Sequence, residues 1–120
     1  MPTKITKNFR IFEEQHKDLD GLAEQYGSNR SKIVRRAIDF YDNYGIKNDK
    51  VIRGDKSEYE PSKKVTVNLR IFERHHRRLD ELAEEWECDR SILVRRSIVF
   101  YDKYGIENDK VMNAEMKGNE

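Results

Sequence analysis

The sequence predicts an α+β protein, mostly helical, in which two tandem strand–helix–helix units form an intramolecular pseudo-dimer around a two-stranded antiparallel ribbon. Three observations predict it. The chain is written twice: Lys4–Glu13 returns as Lys64–Glu73, and at an offset of 60 the stretches 4–51 and 64–111 share 29 of 48 residues. Each copy opens with apolar residues every second position and continues with apolar residues at helical spacing. The 120 residues are 36% hydrophobic and 39% charged, too polar for one large core. A unit of about 42 residues seldom folds alone, so the two copies are expected to complete each other's burial.

The strand comes first. Ile5, Lys7, Phe9 and Ile11 alternate with Lys4, Thr6, Asn8 and Arg10, and Val65, Val67, Leu69 and Ile71 with Lys64, Thr66, Asn68 and Arg70. Such alternation marks a half-buried strand with one polar face, and Lys7 is the irregularity, standing where the second copy has Val67. A lone strand needs a partner, and the other copy supplies an equivalent one, within one chain or between two.

A helix follows over Glu13–Tyr26, its stripe being Phe12, His16, Leu19, Leu22, Ala23 and Tyr26, matched by Phe72, His76, Leu79, Leu82, Ala83 and Trp86. Gly27-Ser28-Asn29 breaks it. Asn29 and Asp89 are N-caps for a second helix, Arg30–Tyr44 in the first copy, with Ile33, Val34, Ala37, Ile38 and Tyr41 inward. Gly45 and Gly105 stand where a C-terminal cap belongs. The expected boundaries are a first unit 1–45, a linker 46–62, a second unit 63–105 and a tail 106–120. The linker is rich in charge, with Gly54 and Pro61, and would span about 20–25 Å as a flexible coil.

Other readings are set aside on composition. One cysteine, Cys88, makes no disulfide framework, and His16, His75 and His76 form no metal-binding motif. No metal and no cofactor are expected. No apolar run reaches a membrane span, and residues 1–6 lack a signal sequence, so the expected location is cytoplasmic. No nucleophile–base set or phosphate loop supports an enzyme. Trp86 and the Phe40/Tyr41 and Phe100/Tyr101 pairs read as core and interface.

The net charge of +1 is not that of a basic domain, but it conceals segregation. Residues 1–12 carry Lys4, Lys7 and Arg10 and no acid; residues 61–72 carry Lys63, Lys64 and Arg70 and no acid; residues 25–38 carry Arg30, Lys32, Arg35 and Arg36 and no acid. The acids Glu13, Glu14, Asp18, Asp20 and Glu24 gather on the first helix.

The strands Thr6-Lys7-Asn8-Phe9-Arg10 and Thr66-Val67-Asn68-Leu69-Arg70, followed by the Gly27-Ser28-Asn29-Arg30-Ser31 break, resemble the ribbon-helix-helix superfamily of Arc/MetJ/CopG-type DNA-binding proteins. The tandem layout is similar to that of regulators from archaeal viruses, which would place the protein in the host cytoplasm. The resemblance implies a sequence-specific regulator of transcription, acting as a repressor on double-stranded DNA. Its ribbon would enter the major groove, with Thr6, Asn8, Arg10, Thr66, Asn68 and Arg70 contacting bases. The residue types suit this, since Arg reads guanine, Asn reads adenine and Thr bonds or touches a thymine methyl. An ordinary wet sheet face is the alternative, but the same three residue types in both copies, with no acid among them, favour readout.

Phosphates would be held by Lys4, Lys7, Lys64 and the starts of the second helices: Asn29, Arg30 and Ser31, then Arg90 and Ser91. Asp89 puts a negative charge at the second start, which should weaken it. Lys7 either snorkels to a phosphate or marks a difference between the halves. Arg35-Arg36 and Arg95-Arg96 could add phosphate contacts, or one of each pair could be internal. A ribbon reads few base pairs, so self-association of chains on adjacent sites is expected, with 46–51 and 106–111 as candidate contacts. The alternatives are an antitoxin-like protein-binding module and a DNA-transfer accessory factor.

Overall fold

A computed structural model describes residues 3–52 and 63–112. The molecule is α+β and mostly helical, with one two-stranded antiparallel sheet. Strand β1 (Lys4–Phe12) leads into α1 (Glu13–Gln25) and α2 (Arg30–Phe40); β2 (Lys64–Phe72) leads into α3 (Glu73–Glu85) and α4 (Arg90–Phe100).

The strands pair in register about Asn8↔Asn68, with Lys4 opposite Phe72 and Phe12 opposite Lys64. Equivalent residues therefore meet at the centre. One face of the ribbon buries Phe9, Ile11, Val67, Leu69 and Ile71 against the helices. Burying such side chains contributes roughly 1.5–3 kcal/mol each, and the alternation that exposes the other face follows from strand geometry. Lys7 lies half-buried on the inner side, opposite Leu69. The core continues through Leu19, Ile33, Val34, Ile38, Leu79, Leu93, Val94 and Ile98. Leads between the repeats are reciprocal: the first N–H of α1 bonds to Lys63 O at 2.8 Å, and that of α3 to Thr3 O at 3.1 Å.

Two sequence expectations are corrected at the helix ends. The second helices do not run regularly to Tyr44. After Phe40 and Phe100 the chain makes a π-helical turn, Tyr41–Gly45 and Tyr101–Gly105, and then a 3₁₀ turn, Ile46–Asn48 and Ile106–Asn108. Gly45 and Gly105 have φ of −98° and −114° and are not left-handed caps. They are glycines because space is short: a Cβ on Gly45 would lie 2.8 Å from Tyr41 Cδ1 and 3.0 Å from Phe100 Cδ1. Tyr41 meets Phe100 of the other repeat with ring centroids 5.4 Å apart, and the glycine admits this packing. The glycine cap sits instead after α1. Gly27 has φ 61°, its N–H bonds to Glu24 O and that of Ser28 to Ala23 O, the pattern of a Schellman motif.

Residues 46–52, expected in the linker, and 106–112, expected in the tail, are folded into the molecule. Ile46, Asp49, Val51, Ile52, Ile106 and Met112 are buried. The segments named as candidate chain-to-chain contacts thus close the chain's own core, and of their apolar residues Val111 is the one left exposed, at 43%. The reason is the polar half of the pattern. Asp49 accepts two hydrogen bonds from Arg96, at 2.8 and 3.1 Å, and one from Tyr41 Oη at 2.7 Å. Asp109 accepts the same from Arg36, at 2.9 and 3.0 Å, and from Tyr101 at 2.7 Å. Burial, then the hydrogen bond to the neighbouring carboxylate, pushes both tyrosine hydroxyls well above the usual range. The remainder of the linker and tail, 53–62 and 113–120, lies outside the described residues.

Candidate nucleic-acid interface

The outer ribbon face carries three cross-strand rows, Thr6–Arg70, Asn8–Asn68 and Arg10–Thr66. All six side chains are exposed. Lys4 and Lys64 flank them, also exposed, and no acid lies among these alternate positions. From Thr6 to Arg10 the strand advances roughly 13 Å at the usual rise per residue. Two strands about 4.8 Å apart with their side chains suit a groove about 12 Å wide.

A two-stranded ribbon has two free edges, and here the helix of the opposite repeat covers each. On the β1 edge, Arg10 N–H donates to Ser91 Oγ at 3.1 Å and Arg10 O accepts from Arg95 Nη1 at 2.8 Å. On the β2 edge, Arg70 N–H donates to Ser31 Oγ at 2.9 Å and Arg70 O accepts from Arg35 Nη1 at 2.6 Å. The two arginines of the outer face are therefore fixed by their backbones while their side chains project. The strand ends are closed alike: Phe12 N–H donates to Gln15 Oε1 at 3.1 Å, and Phe72 N–H to His75 Nδ1 at 3.2 Å.

This arrangement brings the start of α4 beside β1 and the start of α2 beside β2. Asn29 and Asp89 cap these helices, accepting from Lys32 N–H at 2.9 Å and Ile92 N–H at 2.7 Å. The positive ends of both helix dipoles thus flank the ribbon. A groove of about 200 Å³ is lined by Lys7, Asn8, Phe9, His76, Asp89, Arg90 and Ser91, so Lys7 and Asp89, both particular to that side, share it.

The residues expected on phosphates are differently engaged. Ser31 and Ser91 tie helix to ribbon, though each hydroxyl can still donate. Arg30 turns back to α1, bonding His16 Nε2 and lying 3.5 Å from Asp20. Arg90 turns back to α3, 2.7 Å from Asp80 and 3.3 Å from His76 Nε2. These pairs are solvent-exposed, and an exposed ion pair is weak enough to be exchanged for a phosphate. Lys4 lies 5.7 Å from the centre of the Phe72 ring. Of the four arginines at 35, 36, 95 and 96, none is left wholly to solvent: Arg35 and Arg95 hold strand carbonyls, and Arg36 and Arg96 hold aspartates. Burial lowers the Arg35 pKa, with Arg70 nearby adding to the effect.

Sequence reasoning missed the edge clamp of Ser31, Arg35, Ser91 and Arg95. The signal was there, since these positions are identical in both copies, but a hydrogen bond to a strand edge leaves no periodicity. It also missed Arg74, which joins Lys4 and Arg35 around the Phe72 ring, 5.7 Å from its centre. The equivalent of Arg74 is Glu14, so the two flanks of the ribbon differ in charge. Among the described residues no group of three or more His, Cys, Asp or Glu could hold a metal ion, and no helix is long and apolar enough to cross a membrane. Cys88 is a free thiol whose pKa is raised, first by burial and then by Asp89.

Comparisons with protein-family models, curated proteins and solved structures gave no match. The reading of this interface rests on its own geometry.

Proposed function

We propose that the chain is a sequence-specific double-stranded DNA-binding regulator of the ribbon-helix-helix kind, an intramolecular pseudo-dimer that represses transcription by occupying a promoter in the cytoplasm. The observation that carries this reading is the outer ribbon face: three exposed rows of Thr, Asn and Arg, free of acid and anchored along both edges. In this reading the six side chains specify sequence in the major groove. Lys4, Lys64, Lys7 and the starts of α2 and α4 position the phosphates, with Arg30 and Arg90 leaving their aspartates to do so. Chains associate on adjacent sites, because one ribbon covers only about four base pairs.

Selection of random duplex DNA on the purified protein, followed by titration of the enriched site at two salt concentrations, tests it. An enriched motif with steep salt dependence is expected. Arg70→Ala should cost about 1–3 kcal/mol on that motif and relax one base position. The reading fails if no duplex binds at low salt.

A further inference from the structure

The two flanks where one repeat packs on the other are not equivalent. On the first, α3 packs against α2 and the turn after it. Arg74 donates to both oxygens of Asp39, at 2.9 and 3.1 Å, and Arg78 to both oxygens of Asp42, at 2.8 and 2.9 Å. His75 is buried, at 1% exposure, and its Nδ1 accepts from the backbone, so Nε2 carries the hydrogen that reaches Asp39 at 3.1 Å. On the second flank the same places hold Glu14, Gln15 and Asp18 on α1, and Val99 and Asp102 beyond. Gln15 satisfies itself by donating to Arg95 O at 2.9 Å. Asp102 meets a like charge: partial desolvation, then Asp18, raises its carboxyl pKa.

We infer that this divergence selects which repeats pair, so that the first repeat packs on the second and rejects a copy of itself. An exchange of partners isolates the cause. Two first–second pairs could rearrange into one first–first and one second–second pair with the same contact geometry. Asp42 and Asp102 are the same residue, so the hydrogen bonds with Arg78 and the repulsion from Asp18 occur on both sides of the exchange and cancel. Position 39/99 does not cancel. In first–second pairs Asp39 meets Arg74 and His75, and Val99 holds the equivalent position on the flank that carries Glu14 and Gln15. After the exchange Asp39 would meet Glu14, a like charge, while Arg74 and the buried His75 N–H would face Val99. Every ribbon therefore contains one β1 and one β2, and Lys7 stands on one side only. This conclusion holds whether or not the ribbon binds DNA.

The test uses the whole chain with a protease site placed within residues 53–62, folded first and then cut, so that every residue is retained. The nicked protein is denatured and refolded, and native mass spectrometry counts the three pairings. The ratio of first–second pairs to like pairs, 1:1 in a statistical mixture, should rise about tenfold. Asp39→Val, which makes position 39 match 99, should bring the distribution to the statistical 1:2:1. Asp42→Asn with Asp102→Asn, which alters both repeats equally, should leave the excess in place. A statistical mixture from the unaltered sequence overturns the inference. Should the halves not reassociate, the uncut chain decides by denaturant titration. Arg74→Glu should lower the folding constant about threefold in the original sequence and far less in Asp39→Val. Equal losses in the two backgrounds would overturn it.

Discussion

Between the repeats, Asp49 and Asp109 each grip an arginine of the other copy in the same way, whereas positions 39 and 99, one turn along the same helices from those arginines, do different things. The inner pairs are held alike because each residue has two duties. Asp49 accepts from Arg96 and Tyr41, and also from Val51 N–H at 3.0 Å, fixing the turn that brings Val51 into the core. Changing one member would orphan the others. On the flanks, most contacts are made by side chains near solvent, such as Arg74 at 58% exposure and Arg78 at 42%, and the one buried change, His75 to Gln15, keeps the hydrogen bond from the strand-end N–H. There one copy can change without unsettling the fold. Divergence has followed the local cost of change.

The inner pairs are alike in geometry but not in depth, and this gives the largest expected effect. Asp49 is 1% exposed and Arg96 12%; Asp109 is 9% exposed and Arg36 37%. Removing an arginine leaves a carboxylate without its counter-charge, which costs more the deeper it lies. Arg96→Met is expected to destabilise by about 3–5 kcal/mol and Arg36→Met by about half as much, measured by urea unfolding. Equal losses would show that depth does not separate the two sites.

The flanks supply the next test, with a change of sign. Asp42→Asn removes a carboxylate that Arg78 holds with two hydrogen bonds and should cost about 0.5–1 kcal/mol. Asp102→Asn, the same substitution 60 residues on, removes a carboxylate that is disfavoured first by partial burial and then by the charge of Asp18, and should be neutral or slightly stabilising near pH 7. Acid separates them further. Burial alone would raise Asp39, but hydrogen bonds from His75 and Arg74 outweigh it and hold this carboxyl well below the usual range. A folded value below the unfolded one contributes stability above the unfolded value, about 3.9, which is lost as pH falls through the folded value. Asp102 has the opposite sign, so its penalty is relieved on acidification. Asp39→Asn should therefore lose less stability below about pH 4 than the unaltered chain, in denaturant titrations at a series of pH values. An unchanged acid limb would remove Asp39 from the flank contact.

The strands, the two helices of each repeat and the buried apolar stripe were legible in the sequence, because alternation and helical spacing record which side faces the core. The exposed Thr, Asn and Arg of the ribbon were legible for the same reason. What was not legible is tertiary. Residues 46–52 look like a linker because three of them are charged, yet one of the three, Asp49, is buried against an arginine 47 residues away. Ser31 and Arg35 look like surface residues of a basic helix, and only the antiparallel pairing of β1 with β2 shows that they close a strand edge. Gly45 reads as a cap because it follows a helix, while its actual constraint is the ring of Tyr41 together with that of Phe100 from the other repeat.

The glycine that does cap a helix offers the smallest and most local comparison. Gly27 and Glu87 occupy equivalent left-handed positions, with φ of 61° and 53°. The hydrogen bonds are the same on both sides: Cys88 N–H reaches Ala83 O at 3.0 Å, as Ser28 N–H reaches Ala23 O at 2.8 Å. The motif therefore survives in the second repeat against the strain of a Cβ, which costs a non-glycine residue roughly 1–2 kcal/mol in this conformation. Glycine relieves the strain but loses more chain entropy on folding, by roughly 0.5–1 kcal/mol. Glu87→Gly should accordingly stabilise by about 0.5 kcal/mol and Gly27→Ala destabilise by about 0.5–1 kcal/mol, read as opposite shifts in the urea midpoint at unchanged slope. If Glu87→Gly lowers the midpoint instead, the Glu87 side chain contributes more than its backbone costs, and the second helix pair is held at its turn by a contact that the first does not have.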